Sequence, residues 1–183
     1  MSTETPALTA AEHSLIEYLR EMAALIRPTA RPVVEGWAYT SAYDLLFRAG
    51  RIFTQAPLPD GTEMMMIGHC FTNAVQFVEN HDHLDLTYVE GFASFPVSDR
   101  EIHTEHAWAS DETHRAFDPT WPHGPGHAYI GLPIYDIDLV PHPFWGNGIL
   151  KTPNALRPIL RNGLDPDQLA DIGRPLPPLT DRA

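Results

Sequence analysis

The feature that most constrains this 183-residue chain is a change of hydrophobic period along it. Up to Asn80 the apolar residues recur mainly at helical spacing. From Leu84 to Phe117 they fall in short runs rich in Val, Phe, Tyr and Trp, separated by turn residues. Helices that come first and strands that come later pack as segregated layers, so the expected fold class is α+β.

The first helix is predicted over Ala11 to Ile26, with Leu15, Ile16, Leu19, Met22, Ala23 and Ile26 on one face. Thr9, with Glu12 three places on, has the form of a capping box, and Pro28 and Pro32 are expected to end the helix. A second helix is expected from Ser41 to Ala49, with Tyr43, Leu46 and Phe47 inward and Gly50 as its stop; Pro57 to Gly61 reads as a loop. In the run from His69 to Val78, Cys70, Ala74 and Phe77 or Val78 share a face, which puts Cys70 in the first turn of a third helix closing near Asn80.

Strands are predicted over Leu84 to Phe95, Thr104 to Ser110, Thr113 to Phe117 and Ala128 to Ile134, the last as an edge strand. Gly91 marks a bulge or a close backbone approach, and Asp118-Pro119 ends the third strand because proline cannot donate to a ladder. Beyond Pro141 the pattern allows short helices near Ala155 to Arg161 and Pro166 to Ile172, then a loose, proline-rich tail over 174–183. One domain accounts for residues 1–183, with its core over about 36–140.

Composition narrows the partners. Twelve basic against twenty-four acidic residues leave a net charge of −12, which repels phosphate backbones and anionic lipid, so neither nucleic acid nor membrane is expected. Met1 to Thr9 carries no basic cluster or apolar run, and no stretch approaches the roughly 20 apolar residues of a bilayer span. A cytoplasmic protein is expected.

The chain has a single cysteine, so no internal disulfide is possible and Cys70 calls for another account. A thiol at a helix N-terminus beside an imidazole is suited to nucleophilic attack, provided that an acceptor holds the far ring nitrogen. If the turn between the second and third strands is centred near Glu112, His106 stands opposite a residue within one place of Asp118. The segment then supplies base and orienter together.

These residues resemble a known family. Glu105-His106-Ala107-Trp108 followed by Phe117-Asp118-Pro119-Thr120 is similar to the His-Ala-Trp and Asp-Pro-Thr signatures of the transglutaminase-like superfamily. Gly68-His69-Cys70 with Ala74 resembles its nucleophile helix, and Tyr88-Val89-Glu90-Gly91-Phe92 the strand before its histidine. The resemblance spans Gly68 to Thr120; His69 stands where relatives often carry Thr, Ser or Trp, and the interval from Cys70 to His106 is short.

The resemblance implies a papain-like core, with a nucleophile helix packed on an antiparallel sheet, and a Cys70, His106, Asp118 triad working through a thioester. Amide hydrolysis, deamidation and transamidation all fit, on a peptide, a protein or a small amide, with no cofactor and no metal. The backbone N–H of Cys70 and one more donor, from Gln55, Trp37 or His69, would make the oxyanion hole. Arylamine acetyl transfer uses the same three residue types in this order and stands as a minor variant.

Two readings from other classes stand beside it. A binding or scaffold protein could keep the fold without turnover, with Cys70 as a small buried hydrophobe, His106 as a core histidine and Asp118 as a turn former. A metal-dependent hydrolase would draw on His103, His106 and a further ligand, although His81, His83, His123 and His127 add no recognised zinc spacing. Trp108 and Trp121 either wall the site or fill the core, and Glu90 is read as structural.

Overall fold

In a computed structural model, the structure describes residues 7–124, 126–141 and 147–177, and it is mixed α+β. Four helices, α1 (Ala10–Val34), α2 (Ala42–Ala49), α3 (Cys70–Asn80) and α4 (Pro153–Asn162), accompany six strands. The strands are β1 (Arg51–Ala56), β2 (Thr87–Val97), β3 (Arg100–Ser110), β4 (Arg115–Phe117), β5 (Ala128–Ile134) and β6 (Arg174–Pro175). No described helix is long and apolar enough to cross a membrane.

The strand order is β4-β3-β2-β5-β1-β6, and β1 also pairs with β4. One edge of β1 meets β5 through Arg51, Ile52 and Phe53; the other meets β6 at its start and β4, in parallel, from Thr54 to Ala56. The pairings therefore close β1, β5, β2, β3 and β4 into a small barrel.

Strand alternation sorts the side chains into two sets. Phe53, Val89, Ala93, Trp108, Ala116 and Tyr129 form one buried cluster that fills the barrel. Residues of opposite parity, among them Ile52, Phe92, Ala107, Ile130 and Leu132, pack outward against Leu15 and Leu19 of α1, Leu45 and Leu46 of α2, and Phe71 and Ala74 of α3. Each large aliphatic or phenylalanine side chain among them contributes roughly 1.5–3 kcal/mol, so both faces of the sheet carry stability.

Several elements depart from the periodicity. Helix α1 runs on through Pro28 and Pro32 instead of ending there, because proline's fixed φ is helical; beside the exposed Pro28 the Thr29 hydroxyl donates to the carbonyl of Ile26 at 2.8 Å. Its start is as expected, with Thr9 and Glu12 bonded reciprocally. In α2 the buried residues are Asp44, Leu45 and Leu46, while Tyr43 and Phe47 are half-buried.

Strand β1 has no counterpart among the predicted elements, and β5 is central rather than an edge, between β2 and β1. Pro133 is tolerated there because its missing N–H falls beyond the end of β1, whose pairing stops at Gly131. Pro166 to Gln168 is a single 3-10 turn, and Arg174–Pro175 is a strand on β1, so the tail is tied down at its start; Arg174 also reaches Glu12 at 2.6 Å. Residues 178–183 lie outside the described residues.

Candidate active site

Three elements converge on one imidazole. Helix α3 begins at Cys70 after Gly68, whose φ of +86° is the left-handed turn that swings the chain into the helix. Strand β3 carries His106 on its barrel side, and Asp118 follows the end of β4. The side chain of Cys70 lies close enough to the ring to help raise the pKa of His106, and His106 Nε2 lies 2.7 Å from Asp118 Oδ2. With Nε2 held by the carboxylate, Nδ1 is the nitrogen left for sulfur.

The register that brings His106 and Asp118 together is not the expected one. Ala109 stands opposite Phe117 and Ser110 opposite Ala116, which puts residue 106 level with Thr120, two places further than the sequence suggested. Asp118 reaches the ring because the chain leaves β4 in a turn that its own carboxylate organises: Oδ1 accepts from the N–H of Thr120 at 2.8 Å and of Trp121 at 3.0 Å. Its Oδ2 also accepts from the Tyr129 hydroxyl at 2.9 Å. Four donors thus fix a buried carboxylate.

The electrostatics follow from that geometry. Burial opposes a charged imidazole, but the hydrogen bond and the charge of Asp118, joined by those of Cys70, outweigh it and push the pKa of His106 up to about 9. At neutral pH the ring is an imidazolium. Tyr129 is driven far above the ordinary phenol range, by burial first and by Asp118 next, so its hydroxyl stays a donor.

Aromatic rings seal the imidazole. Trp121 stacks on it at 3.8 Å between centroids and 15° between planes, with Phe95 against the far side of the indole at 4.5 Å. Trp108 is fully buried in the barrel, edge-on to Tyr129 and Phe53. Of the two tryptophans singled out in sequence, Trp121 covers the site and Trp108 belongs to the core beneath it.

Gln55 is engaged elsewhere: its Nε2 donates to Tyr129 Oη at 3.1 Å and its Oε1 accepts from the N–H of Gly124 at 3.1 Å. It extends the Asp118 chain and holds the loop after it. Trp37 lines a groove with Asn154, Arg157 and Arg161, among none of the three convergent residues. His69 is exposed and caps α3 with its backbone, its carbonyl accepting from Asn73 N–H at 2.8 Å.

Asn73 is a residue that sequence reasoning passed over. Buried on α3, its Nδ2 donates to the Met66 carbonyl at 2.8 Å and to Thr120 Oγ1 at 2.9 Å, so it joins the cysteine helix to the Asp118 turn. A polar side chain three places after Cys70, next to Ala74 on the apolar face, was the available signal. Tyr129 left none, being one aromatic in an apolar strand.

Glu90 lies on the outer face of the sheet, fully buried, and accepts from the N–H groups of Ile149 (2.8 Å) and Leu150 (2.6 Å) and from the Tyr88 hydroxyl (2.9 Å). Burial raises its pKa against those donors and the charge of Lys151. Gly148 is required beside it, since a Cβ there would collide with the carboxylate. His103 has the opposite parity to His106 and turns to Ser14 and Tyr18 of α1, so the two do not converge. Among the described residues no three His, Cys, Asp or Glu side chains are grouped to hold a metal ion.

No protein-family model matches the chain, and no curated protein and no solved structure matches it either.

Proposed function

We propose that the protein is a cysteine-dependent acyl-transfer enzyme of the transglutaminase-like kind, built on a papain-like core. The observation that carries this reading is the buried imidazole of His106, held between the Asp118 carboxylate at 2.7 Å and the side chain of Cys70. Core packing alone gives no reason to bury an imidazolium beside the only sulfhydryl of the chain.

The chemistry follows in order. The thiolate of Cys70, with imidazolium as its counter-charge, attacks the carbonyl carbon of an amide and forms a C–S bond. The imidazolium gives its proton to the departing nitrogen, the C–N bond breaks, and a thioester remains. Neutral His106 then takes a proton from water or an amine, which attacks the thioester carbon and releases the sulfur. Asp118 fixes the ring throughout and stabilises its charge.

The test is alkylation of Cys70 by iodoacetamide between pH 5 and 9, in the native chain and in His106→Ala. Labelling that persists at pH 6 and slows at least tenfold in the variant supports the pair. Superimposable profiles would remove the enzymatic reading.

A further inference from the structure

The strand that carries His106 has a free edge. Strands β2 and β3 form a hairpin through Ser98 and Asp99, in which Pro96 stands opposite Glu101. Proline has no N–H, so 96 and 101 are a pair whose main-chain groups point away from each other. Alternation then turns the N–H and C=O of Glu101, His103, Glu105, Ala107 and Ala109 outward from β2. Pro133 agrees with this parity: it stands opposite Val89, whose main chain faces β3.

Ala109 is taken by β4, which pairs only with residues 109 and 110 of β3. Among the described residues, no strand other than β2 pairs with Glu101, His103 or Glu105, and no turn or loop backbone group bonds to their main chain. That stretch is partly exposed, whereas Ala107 is buried. Helix α3 packs on β3, and Lys151, paired with Glu105 and lying over the Phe71 ring, puts the start of the helix, where Cys70 sits, beside the end of the free edge.

We propose that this edge takes an extended polypeptide by strand addition and leads it to Cys70, so the substrate is a peptide segment rather than a small amide. The inference rests on reading Cys70 as the nucleophile. Outward groups recur about every 6.8 Å along a strand, so Glu101, His103 and Glu105 engage roughly five residues of peptide. The carboxylate of Glu101, on a chain of net charge −12, selects neutral or basic peptides over acidic ones. Lys151, which pairs with Glu105 at 2.9 Å and lies over the Phe71 ring, closes the side of the path next to the cysteine helix.

The experiment uses the full chain as Cys70→Ala, so that binding is read without turnover, and a tryptic digest of serum albumin as the probe, a diverse pool with basic C-terminal residues. Amide hydrogen exchange at Glu101, His103 and Glu105 is expected to slow at least fivefold with the digest. His103→Pro removes one outward donor without touching the β2 ladder and is expected to abolish the effect; His103→Ala keeps the N–H, loses the same contacts with Ser14 and Tyr18, and is expected to retain it. Glu101→Pro, nearer the hairpin tip, is the second variant should His103→Pro not fold. Unchanged exchange at the three amides, or slowing that survives both prolines, overturns the proposal. Iodoacetamide labelling of the native chain separates the two readings: a protected edge with a sulfur indifferent to His106→Ala keeps the peptide site and loses the enzyme, and a His106-dependent sulfur with an unprotected edge does the reverse.

Discussion

Trp121 lies flat on His106, 3.8 Å from ring centroid to ring centroid, and its own N–H is bonded to the same Asp118 that holds the imidazole. One residue therefore covers a face of the ring and braces the carboxylate that orients it. Only the edge toward Cys70 is left for proton exchange.

Replacing Trp121 by alanine uncovers that face and removes the packing with Phe95. The expected loss is about 2 kcal/mol, below the range for a fully buried tryptophan because Trp121 is half-buried. Urea unfolding of Trp121→Ala and Trp121→Phe measures it, with the phenylalanine variant recovering at least half.

Asp118→Asn keeps the shape of the side chain and removes its charge, weakening the hydrogen bond and the electrostatic attraction that together raise the pKa of the imidazole. The titration midpoint of His106, followed by its ring-proton NMR signal, is expected to drop from about 9 toward or below the ordinary 6.5. Cys70 labelling at pH 7 is expected to slow at least tenfold with it. A midpoint that stays near 9 would mean that a group other than Asp118 holds the charge.

The same displacement makes stability depend on pH. A histidine whose pKa is higher folded than unfolded stabilises the fold fully below its unfolded value and loses that contribution as pH rises through the folded one. Here the window runs from about 6.5 to about 9, so the unfolding free energy is expected to fall across it. His106→Gln is expected to flatten the slope; equal slopes in urea titrations at pH 6.5, 7.5 and 9 would contradict this.

Glu90 anchors the segment that brings Lys151 beside Glu105. Glu90→Ala leaves two buried backbone N–H groups and the Tyr88 hydroxyl without an acceptor, at about 3 kcal/mol or more. Gly148→Ala is expected to cost a comparable amount by collision with the carboxylate. Denaturant midpoints of the two single variants and the double variant test whether both act on one contact, in which case the losses fall short of adding.

Asn73 ties α3 to the turn after Asp118 through its two hydrogen bonds. Asn73→Ala is expected to destabilise the chain by about 1–3 kcal/mol through the partners it strands. If the strut also sets the distance between sulfur and ring, labelling of Cys70 slows and the His106 titration midpoint moves down with the lost contribution of Cys70.

Much of this arrangement was legible one element at a time. The capping box at Thr9 and Glu12, the start of α3 at Cys70, the β5 limits and the turn at Asp118-Pro119 are local matters, set by side-chain competition for nearby backbone groups and by proline's missing donor. The residue types of the candidate site were visible for the same reason, since one cysteine and a His-Ala-Trp and Asp-Pro-Thr pair are conspicuous without any fold. Strand β1 was not, because its central Ile52 and Phe53 are adjacent and both buried, one outside the barrel and one within, which erases the alternation that marks a strand.

By itself the sequence determined where helices begin, which residues can turn, and which side chains are candidates for the chemistry, because these depend on neighbours within a few residues. Only the tertiary structure decided that the sheet closes, that β5 lies in its middle, that His106 meets Asp118 two places out of the expected register, and that Tyr129, Asn73 and Trp121 surround them. Those contacts join segments distant in the chain, Arg51 with Gly131 and Thr54 with Arg115 among them, and their energies exist only once the barrel has shut water out.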